Sequence, residues 1–342
     1  MTRLNRFAAA AILGLTASAP HALADLVVLQ YHHVADHTPP ATSTSRSLFE
    51  AQLDMIRDLN LEVVPLLPAT RQALAGEDDS SRVAITFDDA YESVYQNASP
   101  LLERHGLPYT IFVNTDAIGS RGYMSWEQLQ ELATGEQVTI ANHSTDHGHL
   151  ARKPGEPEAQ WHKRTEHSLD QAQGTLKTRL GVEEPMFAYP YGEFDEKLEG
   201  KLEARGWLGF GQQSGAIGRY SHSTRLPRFP MANSFGQLGS LKDKLLSKAF
   251  PVLASELPDG VLETNPPELV FELGEKLTAD RLTCFASGQG RIEFRTTGNR
   301  VSVKAPKAFD SRRFRYNCTH PAGDGRYYWL SQQWLNLDAP ED

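Results

Sequence analysis

Between residues 26 and 229, short apolar runs alternate with stretches whose apolar positions recur at helical spacing. The runs at 26–31, 83–87, 109–113, 138–141, 187–189, 207–210 and 226–229 read as strands. Between them, 47–59 places apolar residues at 48, 49, 53, 56 and 59, and 91–105, 126–133 and 157–180 follow the same 3.6-residue period. Ser125 is the expected cap of the third helix and Gly181 the stop of the fourth. Strands alternating with helices predict a parallel α/β architecture, either a barrel or a doubly wound sheet. No glycine-rich phosphate loop follows the first strand, which weighs against dinucleotide binding.

Beyond residue 255 the pattern changes. A polar, proline-containing linker at 263–267 leads into β-leaning runs at 269–273, 282–286, 291–296, 301–304, 313–318 and 327–330, separated by turns such as Ser287-Gly288-Gln289-Gly290. These predict a small antiparallel sandwich. The expected division is a leader over 1–24, an α/β domain over 25–255 and a β-sandwich-like domain over 256–342.

The leader has the parts of a secretory signal. Arg3 and Arg6 supply the positive start, 7–17 the apolar centre and Ala22-Leu23-Ala24 the cleavage site. Export, to a periplasmic or extracellular location, agrees with the two cysteines, Cys284 and Cys318, which are expected to form a structural disulfide. After the leader no apolar stretch is long enough to span a membrane. The chain carries 34 Lys and Arg against 43 Asp and Glu, a net charge of −9. That balance argues against nucleic acid as a partner and suits a cationic product.

Three segments place chemistry at strand ends, where parallel α/β folds build their clefts. In the first, the strand at 83–87 runs into Asp88 and Asp89, adjacent carboxylates that point in different directions and can divide metal binding from proton transfer. In the second, the strand at 138–141 runs into Asn142-His143-Ser144-Thr145-Asp146-His147. Two histidines four apart lie on one side of a helical turn, and with one carboxylate they form a three-ligand set that leaves a position for water. His149, His32 and His33 are further imidazoles nearby in sequence. The third, Phe187-Ala188-Tyr189-Pro190-Tyr191-Gly192, ends a strand in a rigid bend suited to aiming a backbone N–H at an oxyanion.

In this order the segments resemble the polysaccharide deacetylases of carbohydrate esterase family 4, the NodB-like group. Thr86-Phe87-Asp88-Asp89 matches the family's T-F-D-D, His143-Ser144-Thr145-Asp146-His147 its H-[ST]-x-x-H, and Pro190-Tyr191-Gly192 part of R-x-P-[YF]-G. Tyr31-His32-His33-Val34 and Tyr123-Met124-Ser125-Trp126 are similar to the branch containing poly-N-acetylglucosamine deacetylases. The resemblance implies a distorted (β/α)7 barrel and a divalent metal, usually zinc, on Asp89, His143 and His147. It also implies Asp88 as general base and the Tyr191 N–H as oxyanion donor.

The sequence departs from the family where a proton donor is expected. Ala188 and Tyr189 stand where the third motif has arginine and the residue after it, 207–213 contains no aspartate, and 226–230 ends without histidine. His222 precedes that last strand; His32 and His33, at the end of the first strand, are candidates to reach the cleft instead, and the sequence leaves the acid unassigned. The expected reaction is hydrolytic N-deacetylation of an N-acetylhexosamine polysaccharide (poly-N-acetylglucosamine, chitin-like or peptidoglycan), with release of acetate. His32, His33, Trp126, Tyr189 and Pro190 are the expected substrate contacts. Two alternatives stand beside it: a glycan-binding protein on a degenerate barrel, and a metal-dependent hydrolase of a small amide.

Overall fold

The computed structural model describes residues 25–77 and 81–341. The leader lies outside the described residues. Six parallel strands form the centre in chain order: β1 (Leu26–Tyr31), β2 (Arg82–Asp88), β3 (Tyr109–Val113), β4 (Val138–Asn142), β5 (Met186–Ala188) and β6 (Leu208–Phe210). A seventh, β7 (Phe229–Pro230), returns to pair in parallel with β1, and Leu226 bridges to Phe210 on β6. The sheet therefore curls into the distorted seven-stranded barrel that the family resemblance implies, and not the doubly wound sheet that the alternation left open. Its central strands are apolar runs because both faces are covered: every residue of β1, β2 and β3 is buried.

The outer layer consists of α1 (Arg46–Asp58), α2 (Leu66–Ala75), α3 (Ser99–Arg104), α4 (Trp126–Ala133), α5 (Glu158–Leu180), α6 (Glu196–Ala204) and α7 (Leu238–Leu245). Local chemistry sets their ends. At α4 the Ser125 hydroxyl accepts from the Gln128 N–H at 3.2 Å while the Gln128 amide oxygen accepts from the Ser125 N–H at 2.8 Å, a reciprocal cap. Helix α5 ends at Gly181, whose φ of 73° is the left-handed conformation that glycine adopts at least cost. It packs Trp161, Leu169, Ala172 and Leu176 inward.

The C-terminal part is two facing antiparallel sheets. One is β8 (Glu268–Glu272), β12 (Arg300–Lys304) and β11 (Phe294–Thr297); the other contains β10 (Gly290–Ile292), β9 (Thr283–Ala286), β13 (Arg313–Gly323) and β14 (Arg326–Leu335). Leu269, Phe271, Val301 and Val303 meet Cys284, Phe314, Tyr316, Cys318 and Trp334 in one core. Cys284 and Cys318 lie opposite one another on β9 and β13, where they form the expected disulfide. The barrel is stitched to this sandwich: Lys248–Ala249 pairs in parallel with Tyr328 and Trp329, and the Trp329 ring packs edge-on against Phe229 with centroids 5.2 Å apart. Among the described residues, no helix is long and apolar enough to cross a membrane.

Candidate active site

The C-terminal ends of β2, β4 and β5 converge on one point, and backbone strain concentrates there. Seven non-glycine residues among those described have positive φ, and five of them are Asp89, Ala90, Ser144, His147 and Tyr191. Each such residue costs of order 1–3 kcal/mol and persists only where surrounding contacts over-determine it. After β4 the chain does not form the helical turn that the His143–His147 spacing suggests. Instead, short polar side chains close an irregular loop. Asn142 Oδ1 accepts from the Ser144 N–H at 2.8 Å, and Ser144 Oγ accepts from the His147 N–H at 3.0 Å. Thr145 fastens the loop to α5 by donating from its hydroxyl to the Ser168 carbonyl at 2.8 Å.

The result brings Asp89, His143 and His147 together with their ligand atoms all within 4.8 Å of one another. Asp89 Oδ1 lies 3.4 Å from Nε2 of both imidazoles. His143 Nδ1 is 2.7 Å from the Ala188 carbonyl, an acceptor only, so Nδ1 carries the proton of the neutral ring and Nε2 is the nitrogen that offers a lone pair. Both Asp89 Oδ1 and His143 Nε2 are buried without a hydrogen-bond partner. Two orphaned lone pairs aimed at one point fit a cation. Burial, followed by the His143 ring, lowers the His147 pKa to about 4 and favours its neutral imidazole, whereas Asp88 and Asp89 push the His143 pKa up against its own burial. Burial pushes the Asp89 carboxyl upward, but the His143 imidazole beside it, with those of His32 and His147, holds it well below the usual range.

Asp88, one residue earlier, is fully buried and gripped from two strands. Arg228 donates NH1 to Oδ1 at 2.7 Å and NH2 to Oδ2 at 2.8 Å, while Gln30 Nε2 donates to Oδ2 at 2.6 Å. Burial alone would raise this carboxyl; the Arg228 charge, the His143 ring and the Arg228 hydrogen bonds together outweigh it and keep the group ionised. Neither Arg228 nor Gln30 emerged from the motifs. The signal available was a polar side chain inside an apolar strand, Leu29-Gln30-Tyr31 and Pro227-Arg228-Phe229, which demands a buried partner. Tyr91 was also missed: it lines both openings beside Asp89, its ring stacks on His33 at 3.6 Å between centroids, and it lies 4.9 Å from the Tyr123 ring.

Two openings flank the Asp89–His147 pair. The larger, about 860 Å³, is lined on the barrel side by His32, Tyr91, Tyr123 and Tyr191 and on the sandwich side by Arg313, Arg315, Asn317 and Trp329. The smaller, about 350 Å³, carries Asp116 and Asp146. The larger cleft does not share the acidity of the whole chain: it has Arg313, Arg315 and Lys244 and, among its lining residues, Asp89 as the sole carboxylate.

His32 and Tyr191 line the cleft, but four other expected contacts do not. His33 turns behind Tyr91, with Nδ1 3.4 Å from Ser93 Oγ. Tyr189 is fully buried and donates its hydroxyl to the Thr224 carbonyl at 2.8 Å. Pro190 is buried, and Trp126 packs on the core with Arg179 5.5 Å above its ring. His149 is no ligand either: its Nδ1 is 2.9 Å from Glu193, and its ring stacks on Tyr191 at 4.0 Å. Arg312 and Arg313 reach the same Glu193 from the sandwich, at 2.8 and 2.9 Å.

Comparison with known proteins bears on this geometry. Residues 75–207 match the family model described as polysaccharide deacetylase. A poly-beta-1,6-N-acetyl-D-glucosamine N-deacetylase of Staphylococcus aureus is 25% identical over 196 residues, 54% of this chain and 67% of that one. The structure of IcaB from Ammonifex degensii superposes with a TM-score of 0.54 at 26% identity, covering 65% of this chain and 95% of that one. The Streptococcus pyogenes deacetylase PplD, solved in complex with acetate, shares the fold with a TM-score of 0.54 at 20% identity, over 61% of this chain and 92% of that one.

Proposed function

We propose, for a chain whose residues 75–207 form a polysaccharide deacetylase domain, that it hydrolyses the acetamide of an N-acetylhexosamine polysaccharide and releases acetate. The observation that carries this reading is the pair of orphaned lone pairs, on Asp89 Oδ1 and His143 Nε2, converging with His147. These three residues would hold a divalent cation, and zinc suits two neutral imidazoles and a carboxylate. Such an ion supplies Lewis-acid chemistry, acidifying water to a pKa of about 7 and polarising an amide carbonyl.

The remaining work falls to the chain itself. Asp88, next to the ligand Asp89, takes the proton from the attacking water, while Arg228 and Gln30 fix its orientation and keep it ionised. The Tyr191 backbone, held at φ 58° and ψ 2°, is the candidate oxyanion donor, and losing one such donor costs about 10²–10³ in rate. Protonating the departing amine falls to His32, since of the two histidines after β1 it is the one that lines the cleft. The barrel at 25–255 carries this chemistry and the sandwich at 256–342 flanks it. A cleft of about 860 Å³ walled by Tyr91, Tyr123, Tyr191 and Trp329 supports an extended sugar polymer over a small amide. The disulfide and the leader sequence support action outside the cytoplasm.

The test is acetate release from β-1,6- and β-1,4-linked N-acetylglucosamine oligomers with zinc, after chelation, and by Asp88→Asn. Acetate that disappears in both controls supports the reading, and the preferred linkage identifies the polymer. Tight glycan binding with no acetate from any oligomer would instead favour a binding protein.

A further inference from the structure

The sandwich does more than flank the cleft. Strand β13 alternates strictly: Phe314, Tyr316 and Cys318 enter the sandwich core, so Arg313, Arg315 and Asn317 stand on the opposite face. Those three line the cleft of about 860 Å³ that opens on Asp89 and His147. Their positions relative to the ligand set follow from ring contacts. Tyr191 lies 4.5 Å from His147 between ring centroids, the Arg313 guanidinium sits 5.0 Å from the Tyr191 ring, and Arg315 follows two residues along the strand. Two residues of extended chain add about 7 Å.

Arg313 is neutralised by Glu193 at 2.9 Å. Arg315 is not neutralised. Among the described residues its guanidinium has no carboxylate, hydrogen bond or aromatic face, and burial, followed by the charge of Arg313, pushes its pKa down to about 10. Its side chain is half-buried on the cleft wall with no counter-ion beside it, so an anion entering the cleft would meet an unpaired guanidinium. Independent atoms on the same face are also unsatisfied: Asn317 Oδ1, Trp329 Nε1 and Ser331 Oγ are buried without partners, and Ser331 lies directly opposite Asn317 in the ladder. A planar guanidinium beside orphaned amide, indole and hydroxyl groups matches a sugar that bears both hydroxyls and an oxyanion.

We propose that Arg315, with Asn317 and Trp329, forms a subsite for an anionic substituent of the glycan, so that the preferred substrate carries a carboxylate or phosphate near the acetamido sugar. The proposal rests on the deacetylase reading for its reaction but not for its binding.

The test uses the full chain and three oligosaccharide sets: neutral N-acetylglucosamine oligomers, glycan strands bearing lactyl or uronic carboxylates, and phosphate-bearing N-acetylglucosamine oligomers. Acetate release is measured for each, and Kd is measured separately by calorimetry on chelated protein. The expected result is a preference of about tenfold or more for one anionic set over the neutral set, weakening with salt. Arg315→Gln is expected to abolish that preference, and Arg315→Lys to restore part of it because the charge returns without the planar fork. Whichever anionic set is preferred names the source of the oxyanion. Equal losses on neutral and anionic glycans, or no effect of Arg315→Gln, overturn the subsite, with unchanged melting temperatures confirming that the variants fold. Charge-selective binding that needs Arg315, without acetate from any set, would support the subsite and refute the deacetylase.

Discussion

Arg228, immediately before the last barrel strand, and Asp88, at the end of the second, form a fully buried, two-pronged ion pair, NH1 to Oδ1 at 2.7 Å and NH2 to Oδ2 at 2.8 Å. The guanidinium also donates Nε to the Gly211 carbonyl at 2.9 Å, so one side chain ties three strand ends together beneath the candidate metal site. Removing one member of such a pair strands the other charge in a dry interior. Arg228→Met is therefore expected to destabilise the fold by about 3–5 kcal/mol. Arg228→Lys retains the charge but loses the parallel fork, and is expected to cost less stability while still misplacing Asp88. Urea midpoints for both variants, read beside acetate release, check this; wild-type stability in Arg228→Met would contradict a buried pair.

The ligand assignment separates His147 from His149, two residues apart in sequence and engaged in different contacts. His147 Nε2 is 3.4 Å from Asp89, whereas His149 Nδ1 is committed to Glu193 at 2.9 Å. His143→Ala and His147→Ala are expected to lose stoichiometric zinc after dialysis. His149→Ala is expected to retain it, with any weakening no greater than the roughly 10–100-fold typical of residues that merely support a ligand. Metal content by elemental analysis decides the matter, and zinc lost only from the His149 variant would reverse the assignment.

Much of this arrangement was legible in the sequence because it is local. Thr86-Phe87-Asp88-Asp89 announces a buried strand ending in carboxylates, and alternation along 313–318 announces a half-buried sandwich strand. What escaped was non-local or short. Arg228 and Asp88 are 140 residues apart, and nothing in either segment names the other. Helices α2 and α7 begin with no side-chain cap, so nothing local marks their starts as Ser125 marks the similarly short α4. The aromatic contacts were misjudged because composition cannot say which face a ring takes. Tyr189 and Trp126 serve the core, while Tyr91, two residues after Asp89, reaches the site.

The disulfide joins paired strands at a separation of 34 residues. Closing a loop of that size in the unfolded chain is worth roughly 3.5–4 kcal/mol in the chain-entropy account. Cys284→Ala with Cys318→Ala is expected to lower stability by an amount of that order. Because the sandwich walls the cleft through β13, reduction is also expected to weaken glycan binding before the barrel itself unfolds. Denaturant unfolding with and without reductant, followed by Trp fluorescence and by glycan binding, tests both parts. Identical midpoints for the oxidised and reduced protein would show the bridge to be energetically idle.

Glu193 couples the two parts of the molecule to acid. The carboxylate is fully buried at the bend after Tyr191, where it accepts from Arg312, Arg313 and His149. Burial pushes its pKa up, but the hydrogen bonds from His149, Arg312 and Arg313 outweigh that and bring it to about 2 from the ordinary 4.5. The sign follows from linkage. A depressed carboxyl contributes stability that is complete above about pH 4.5 and is lost as pH falls through about 2, because below that value the folded state must also protonate it. Wild type is therefore expected to exceed Glu193→Gln in stability at pH 6, and the gap is expected to close between pH 4.5 and 2. The same substitution frees Arg312 and Arg313 from the bend that positions the Tyr191 backbone, so acetate release is expected to fall at pH 6 even where the fold survives. Melting temperatures of both proteins across pH 2 to 7 test the assignment, and a gap that stays constant or widens on acidification would exclude it.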